Sequence, residues 1–296
     1  MKRLKLWEFL TCTLLPLIIP FVDFIPVTYV HCYIKIGLQI ALAIIDIFLV
    51  VRLYKKTNNE HKKEITNKII RDSYSNAYTL SERKRNELIK WTYDNPHSIS
   101  RNNVPYDVHN HISEICNSFR DTISQITSIS KEYTNISLIY HYVFDNASRE
   151  DRKWRWAVGK EPSSKVDLDE FVTREDTLYK YIIEGDKEVN NVHFVFSNSK
   201  QELSDEHKYH LSSKDRDHNN IGSVFAAKIV FGNNTTSFIE GVLLLSTHGK
   251  QFIDKHSDDY SETELKNILL EELFPYYQRL LETELGMLYL QHIEKR

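Results

Sequence analysis

Residues 36–52 read IGLQIALAIIDIFLVVR, and the interpretation of the whole chain depends on this stretch. Sixteen residues lie between Lys35 and Arg52, and Gln39 and Asp46 are the strongly polar ones among them. A membrane-spanning helix needs about 20 mostly apolar residues, and lysine or arginine at its ends can reach the interface with water. The stretch therefore predicts either a membrane helix that contains a carboxylate or a core helix of a soluble protein.

A second apolar run precedes this stretch, at residues 9–22 between Glu8 and Asp23. The two runs together predict a transmembrane hairpin over residues 1–54, with membrane lipid as its partner. A secretory signal peptide is disfavoured, because no small-residue cleavage site follows the first run. The remaining alternative is a helical hairpin buried in a soluble protein.

Basic residues flank the predicted hairpin on both sides, whereas the turn between the two runs offers only His31 and Lys35. Lysine and arginine accumulate on the cytoplasmic side of membrane helices. We therefore predict two spans in the inner (cytoplasmic) membrane with both termini in the cytoplasm. The flanking basic residues are Lys2, Arg3, Lys5, Arg52, Lys55, Lys56, Lys62 and Lys63.

The bulk composition excludes several classes of protein. A mean hydropathy of −0.43 over 296 residues excludes a membrane protein with many spans. The net charge of −3 gives no overall field that would attract nucleic acid, so no nucleic-acid partner is predicted. The three cysteines, and the histidines and aspartates of residues 207–218, match no zinc spacing, so neither a metal nor a cofactor is predicted.

Residues 55–105 predict a helical connector. Thr79 and Glu82 have the spacing of a capping box, which predicts a helix start near Leu80, and Pro96 predicts the helix end just before it. The connector holds 11 lysines and arginines against 6 acidic residues. The favoured interpretation of this charge is a solvated helix face, and the alternative is attraction to anionic lipid headgroups.

Residues 106–296 predict a compact α/β domain of the α+β type. Asp107 is a suitable N-cap, and isoleucines and Phe119 recur after it at spacings of three and four, as in an amphipathic helix. Runs of β-branched and aromatic residues then predict strands, and Ser261 with Glu264 predicts the capping box of a last helix, which Pro275 should bend. The predicted strands are 135–144, 154–158, 192–197, 223–231 and 238–247, with a short helix at 176–184 and a long irregular connection at 198–220.

This order of elements resembles a GAF domain. The resemblance is most specific in residues 221–252, IGSVFAAKIVFGNNTTSFIEGVLLLSTHGKQF, where a Gly-Ser pair enters one strand and the next strand ends in Ser-Thr-x-Gly. It implies a sensory domain with a six-stranded antiparallel sheet, helices from both termini on one face, and a ligand pocket on the other. The residue set of cyclic-nucleotide-binding GAF domains is not found, so the ligand stays open between a small molecule and a protein.

Five residues are candidates for binding that ligand. Trp154 and Trp156 share one face of a predicted strand, where Trp156 could form an aromatic wall for a ring, although packing of the two tryptophans in the core is the favoured alternative. Basic side chains in neighbouring loops could meet an anionic group. The candidates are Trp156, Lys160, Arg174, Arg216 and, in the Gly-Ser pair, Ser223.

No nucleotide-binding, hydrolase, kinase or zinc-protease motif is present, so the chain is predicted not to be an enzyme. Gln39 lies seven residues before Asp46 and shares its helix face, which favours a polar stripe that lines a pore or pairs helices in a homo-oligomer. The alternative is that Asp46 is simply protonated or that the span is shorter than residues 36–51. The layout is similar to the two-span membrane effectors of bacterial antiphage defence systems. It predicts a sensor whose ligand-binding domain controls the hairpin and disrupts the membrane. The alternatives are a membrane-tethered dimerisation or scaffolding module, and a soluble regulator with a buried N-terminus.

Overall fold

The computed structural model describes residues 32–94, 107–159, 167–184, 194–233, 235–253 and 260–294. The chain forms two compact units, residues 1–67 and residues 68–296. The helices are α1 (Cys32–Asp94), α2 (Val108–Thr127), α3 (Leu168–Thr173), α4 (Leu178–Glu184), α5 (Lys200–Asp205), α6 (Ser213–Asp217), α7 (Glu262–Asn267) and α8 (Phe274–Glu294). The strands are β1 (Thr134–Tyr142), β2 (Arg155–Val158), β3 (Phe194–Ser197), β4 (Val224–Gly232) and β5 (Ser237–Thr247).

Helix α1 is continuous over 63 residues, so the predicted helix start near Leu80 is wrong. The hydroxyl of Thr79 donates a hydrogen bond to the carbonyl of Ser75, four residues earlier in the same helix, at 2.9 Å. A threonine that bonds to the preceding turn is inside a helix and does not cap one. The end of α1 at Asp94 agrees with the stop predicted before Pro96.

The structure gives no support to the transmembrane part of the fold prediction, residues 1–54. Among the described residues, no helix offers a stretch both long enough and apolar enough to cross a membrane. Residues 1–31, with the first apolar run, lie outside the described residues.

The α+β character of the second unit is confirmed, and its sheet is fully antiparallel. Among the described residues the sheet has five strands in the order β2-β1-β5-β4-β3, where the GAF resemblance implies six. Strand β5 is central and pairs along its length with β1 and with β4. The strand predictions are confirmed to within a few residues at each end, which is the ordinary uncertainty of element boundaries.

One face of the sheet is covered by α2 and α8, and the part of α1 that belongs to the second unit packs on these two helices. The predicted N-cap Asp107 accepts a hydrogen bond from the backbone N–H of Asn110 at 3.0 Å, and the apolar stripe of α2 is buried. Phe119 packs between the rings of Phe225 and Tyr277, at centroid distances of 5.7 and 5.1 Å. Helices from both ends of this unit thus lie on the same side of the sheet.

The opposite face of the sheet carries a second, smaller apolar cluster, and α4 supplies much of it. The buried residues of this cluster are Ile139, Val172, Leu178, Tyr179, Ile182, Leu203, Tyr209, Val224, Ala226 and Val242. Residues 198–220, predicted as irregular, contain α5 and α6 on this side. Helices of six and five residues make fewer than two turns, which is too short for a helical period to show in the sequence.

The C-terminal helical region begins as predicted and changes its winding before Pro275. Ser261 and Glu264 form a reciprocal capping box at the start of α7. Residues Ile268–Leu273 are π-helical, and α8 follows directly. Because the nitrogen of Pro275 has no hydrogen to donate to the preceding turn, the regular α-helical bonds are interrupted at this place. The hydroxyl of Tyr74 on α1 donates a hydrogen bond to the carbonyl of Glu272 in this π-helical segment.

Candidate functional site

A buried ionic cluster forms where α5, α6 and the end of β5 meet. The Nζ of Lys200 lies 2.5 Å from Oδ1 of Asp215, and both side chains are completely buried. The Nδ1 of His248 lies 3.0 Å from the same carboxylate oxygen. The backbone N–H and the hydroxyl of Ser212 donate to the other oxygen, Oδ2, at 2.9 and 2.7 Å. We call Lys200, Asp215 and His248 the ionic cluster.

Burial and charge act in opposite directions within the ionic cluster. Burial lowers the pKa of Lys200, and the nearby carboxylate counteracts this effect. Burial would raise the pKa of Asp215, but hydrogen bonds from His248, Lys200 and Ser212 outweigh it and hold that pKa well below its usual range. Burial is also the main reason why the pKa of His248 is lowered. At neutral pH the cluster therefore holds an ionised carboxylate beside a neutral imidazole.

Two glycines lie beside the ionic cluster in the chain, and one of them makes room for Lys200. A Cβ on Gly222 would lie 2.3 Å from the carbonyl oxygen of Thr247 and 3.0 Å from Cδ of Lys200, so a larger residue would displace the lysine stem. Gly249 has φ +69°, a left-handed conformation that favours glycine, and turns the chain directly after His248. The backbone N–H of Lys200 donates to the carbonyl of Gly222 at 3.0 Å.

The geometry of the ionic cluster suits a structural role better than a catalytic one. Neither the Lys200 ammonium nor the Asp215 carboxylate is accessible to a substrate. The ionic cluster links the connection between β3 and β4 to the end of β5. Burying an ion pair of this kind costs desolvation free energy. Removing only one of its two partners therefore destabilises a protein far more than replacing both partners with apolar residues.

Ser223, a predicted ligand-binding residue, belongs to the framework around the ionic cluster. Its side chain is fully buried and donates to the side-chain oxygen of Asn198 at 2.8 Å. The same hydroxyl accepts from the backbone N–H of Phe252 at 2.8 Å. Ser223 therefore fastens two loops together, and its hydroxyl is not presented to a ligand.

Trp156 lies on β2 opposite Ile139 and packs against the second apolar cluster. Its neighbour Trp154 stacks on His141, with ring centroids 3.9 Å apart and planes 24° apart. These contacts favour the core-packing alternative for both tryptophans. His141 keeps one unusual feature, since its Nε2 is buried and has no hydrogen-bond partner while its Nδ1 lies 3.3 Å from the carbonyl of Arg152.

The basic residues predicted to bind an anion have partners within the protein. Arg174 grips the carboxylate of Asp176 with two hydrogen bonds of 3.0 and 2.7 Å, and His210 approaches the same carboxylate to 2.9 Å. Arg216 donates to the carbonyl of Leu211 at 3.0 Å. Lys160 lies outside the described residues. Among the described residues, Arg174 and Arg216 thus each already have a partner within the protein.

A buried hydroxyl cluster, which no sequence pattern indicated, joins α1 to α2 and α8 within the second unit. The hydroxyl of Tyr277 lies 2.6 Å from the hydroxyl of Ser73 on α1, and 3.1 and 3.2 Å from those of Ser118 and Thr122 on α2. Thr122 also donates to Ser73 at 3.1 Å. Single serines and threonines in long helices give no sequence signal that they will meet. We call these four residues the hydroxyl cluster.

Two surface cavities of the second unit are lined by described residues, and the predicted ligand-binding residues are not among them. The larger, of about 460 Å³, lies between the end of α2 and the loop after β5, and its lining includes Tyr133, Phe252 and Tyr260. The smaller, of about 130 Å³, is bordered by Lys84, His111 and Glu284. Lys84 and Glu284 pair across it with a separation of 2.5 Å.

The metal-ligating side chains of the described residues nowhere form a group of three that could hold an ion. His210, in the polar segment 207–218, is engaged with Asp176, and Asp215 is engaged in the ionic cluster. These two groups therefore already have partners within the protein.

The described start of α1, in the first unit, exposes an unusual amount of apolar surface. Ile44, Ile47 and Phe48 are 61%, 65% and 64% exposed. The predicted polar pair behaves differently, since Gln39 and Asp46 are only partly exposed and Oδ1 of Asp46 is buried without a hydrogen-bond partner. The other large apolar side chains exposed along this part of α1 are Ile36, Ile40, Ile45, Val50, Val51 and Tyr54.

Comparison of the chain with models of protein families, with curated proteins and with solved structures yielded no match.

Proposed function

We propose that the chain is a membrane-attached sensor and effector without enzymatic activity. In this proposal the start of α1 is embedded in lipid together with residues 1–31, as a hairpin of the cytoplasmic membrane. The second unit recognises a small molecule or a protein and thereby changes the packing of the hairpins in a homo-oligomer. Disruption of the membrane by the rearranged hairpins would suit an effector of antiphage defence.

The observation that carries this proposal is the inverted polarity of α1 between Ile36 and Tyr54. At 100° per residue the exposed large apolar side chains spread over about 220° of the helix surface. The remaining side carries Gln39 and Asp46 together with leucines, and these are less exposed. A helix of a water-soluble protein hides its apolar side and exposes its charges, whereas a helix in lipid turns its charges inward.

Fractionation of expressing cells tests the membrane part of the proposal. The full chain should stay in the membrane pellet after a carbonate wash, and a tag after Arg296 should be cleaved by protease only in inverted vesicles. Recovery of the chain in the carbonate supernatant would refute membrane embedding. Cleavage of the tag only in vesicles of the opposite orientation would refute cytoplasmic termini.

The effector part is tested by Asp46→Leu. Induced expression of the native chain should depolarise the membrane, and Asp46→Leu should abolish the leak because it removes the polar group between helices. Asp72→Leu is the matched control, since Asp72 lies on the same helix outside the apolar part and is exposed. An equal loss of leakage in both variants would contradict a specific role for Asp46.

One observation favours a scaffolding module as the second candidate. Arg174 and Ser223, two of the residues predicted to bind a ligand, already have partners inside the second unit. A domain with its polar groups satisfied in this way suits recognition of another protein surface better than enclosure of a small molecule. An unchanged membrane potential at high expression, with a soluble protein retained after detergent purification, would establish the scaffold over the effector.

A further inference from the structure

The larger cavity of the second unit has the size and the lining of a ligand pocket. Its volume of about 460 Å³ falls within the range of about 300–1,000 Å³ that is usual for small-molecule sites. One wall belongs to the end of α2 and the turn after it, and the other wall follows β5; we call the space between them the α2–β5 cavity. Its apolar lining consists of Ile126, Ile129, Tyr133, Phe252, Ile253 and Tyr260.

The wall after β5 is held in position from behind. The side-chain amide of Asn198 donates to the carbonyl of Ile253 at 2.9 Å, and its oxygen accepts from the backbone N–H of Ile253 at 3.0 Å. The backbone N–H of His248 donates to the carbonyl of Tyr133 at 2.8 Å, which joins the two walls. The described walls are therefore preformed, and a ligand would not have to order them before it binds.

Four polar side chains of the lining are available to a ligand. Among the residues that the structure describes, Lys250, Ser128, Ser130 and Tyr133 have no side-chain partner for a hydrogen bond or an ion pair. An unpaired ammonium beside hydroxyls is suited to an acidic group, because hydrogen bonds between ionised partners are the strongest ones. The α2–β5 cavity thus offers the available cation that Arg174, already bound to a carboxylate, does not offer.

The two walls of the cavity differ in charge. Helix α2 ends at Thr127 and Ser128 caps it, and both residues are part of the lining. The last turn of a helix leaves backbone carbonyls without partners inside the helix and carries the negative end of the helix dipole. An acidic group is therefore favoured at the wall of Lys250 and disfavoured at the wall of α2. Since Lys250 is one cation, it balances one negative charge, which argues against a polyphosphate.

We propose that the α2–β5 cavity binds a small molecule with a flat ring system and one acidic group, either a carboxylate or a phosphate. The rings lie among the aromatic side chains of the lining, and the acidic group pairs with Lys250. This inference rests on the proposed function, in which the second unit recognises a small molecule or a protein. It gives that recognition a place and a class of ligand.

Photolabelling of the full chain in nanodiscs of neutral phosphatidylcholine tests the inference. Two acidic probes are used, 4-benzoylbenzoate with a carboxylate and 4-benzoylphenyl phosphate with a phosphate. Benzophenone has the same two rings without a charge. Near-ultraviolet light attaches each probe to nearby C–H groups, and peptide mass spectrometry locates the attachment. Labelling is measured below saturation at residues 126–133 and 250–253.

At least one acidic probe should label these residues, and Lys250→Gln should lower that labelling at least about tenfold, by the usual strength of a hydrogen bond to a charged group. Lys250→Arg should retain the labelling, and labelling by benzophenone should be equal in all variants. Lys131→Gln is the matched control, because Lys131 is exposed near the cavity, pairs with Asp121 at 2.6 Å and is not part of the lining. The probe that labels more strongly distinguishes a carboxylate ligand from a phosphate ligand.

A second variant tests whether the probe lies inside the cavity. Ser130 is exposed in the lining and makes no capping hydrogen bond, so Ser130→Trp should fill the space without a change in the unfolding temperature of the second unit. Labelling by the acidic probe and by benzophenone should then both be lost. Undiminished labelling in Ser130→Trp would overturn the cavity as the site.

The remaining outcomes separate this inference from the proposed function. Labelling by the acidic probes that is unchanged in Lys250→Gln overturns the acidic class of ligand. If the cavity is not labelled in a chain that depolarises the membrane, the inference is overturned and the effector stands. If the cavity is labelled as expected in a chain that the carbonate wash releases, the binding site stands and the membrane-attached effector is overturned.

Discussion

Two parts of the same helix, α1, are exposed to opposite degrees. In the second unit, Ile70, Ser73 and Ala77 are almost completely buried against α2 and α8. In the first unit, Ile44 and Phe48 are more than 60% exposed. Both parts have the same backbone conformation, so helix formation does not account for the difference. The two parts differ in their surroundings. The surroundings of a helix face decide whether apolar or charged side chains are tolerated on it.

The largest expected effect comes from placing charges in the exposed part. Ile44→Lys, Ile47→Lys and Phe48→Lys should each oppose membrane embedding by about 3 kcal/mol, and the triple variant by about 9 kcal/mol. The triple variant should move from the carbonate-washed pellet to the supernatant. The unfolding temperature of its second unit should equal that of the native chain, because these residues do not belong to the core of that unit.

A charge in the buried part should have the reverse result. Ala77 is fully buried, so Ala77→Lys should destabilise the second unit and leave the chain in the membrane pellet. Retention of the triple lysine variant in the carbonate pellet would break the comparison, because it would show that the exposed part of α1 is not covered by lipid.

The next effect in size concerns the ionic cluster of the second unit. Asp215→Asn leaves the buried Lys200 without a counter-ion and should lower the free energy of unfolding by about 3–5 kcal/mol. Chemical denaturation of the full chain, followed by tryptophan fluorescence, measures this change. Lys153→Met breaks an exposed pair with Glu150 of similar length, 2.7 Å, and should change the free energy of unfolding far less, because water screens the exposed charges.

The double variant Lys200→Met/Asp215→Asn sharpens that test. If the two groups act as a pair, the double variant should lose clearly less stability than the sum of the single variants. Additive losses would mean that each group is held by other contacts and that the ionic cluster is not a unit.

Local patterns predicted the elements of the second unit well. The cap at Asp107, the capping box at Ser261 and the β-branched strands depend on neighbours within a few residues, so their physics is visible in the sequence. The prediction of a helix start near Leu80 was wrong for a related reason. Thr79 and Glu82 have the right spacing for a capping box, but the pattern cannot exclude a helix that simply continues.

The sites could not be predicted in the same way, because their members are far apart in the chain. Lys200 and His248 are separated by 48 residues, and Ser73 and Tyr277 by 204. The predicted ligand set was chosen from charges in loops, and Arg174 shows why this fails. A nearby carboxylate, Asp176, satisfies its guanidinium two residues away, and composition does not reveal which loop charges are already paired.

The hydroxyl cluster should have a smaller effect than the ionic cluster. Tyr277→Phe keeps the ring but leaves the hydroxyls of Ser73, Ser118 and Thr122 without their common partner, which should cost about 1–3 kcal/mol. Amide exchange in residues 68–94 of α1 should become faster. In the control variant Tyr289→Phe the tyrosine lies among aromatic rings, and its free energy of unfolding should change little. Equal losses in the two variants would remove the hydroxyl cluster from the account of how α1 is held.

The smallest effect is a pH dependence that should belong to the second unit alone. Burial lowers the pKa of His248 and also that of His141, so the folded unit binds fewer protons than the unfolded chain once the pH falls below the ordinary histidine pKa of about 6.5. The stability that this difference contributes is present above that pH and is lost as the pH falls towards the lowered folded pKa values. His248→Gln should therefore flatten the decline of unfolding free energy just below pH 6.5, as measured by denaturation at a series of pH values. A decline that survives in His248→Gln/His141→Gln would mean that the buried histidines of the second unit are not its source.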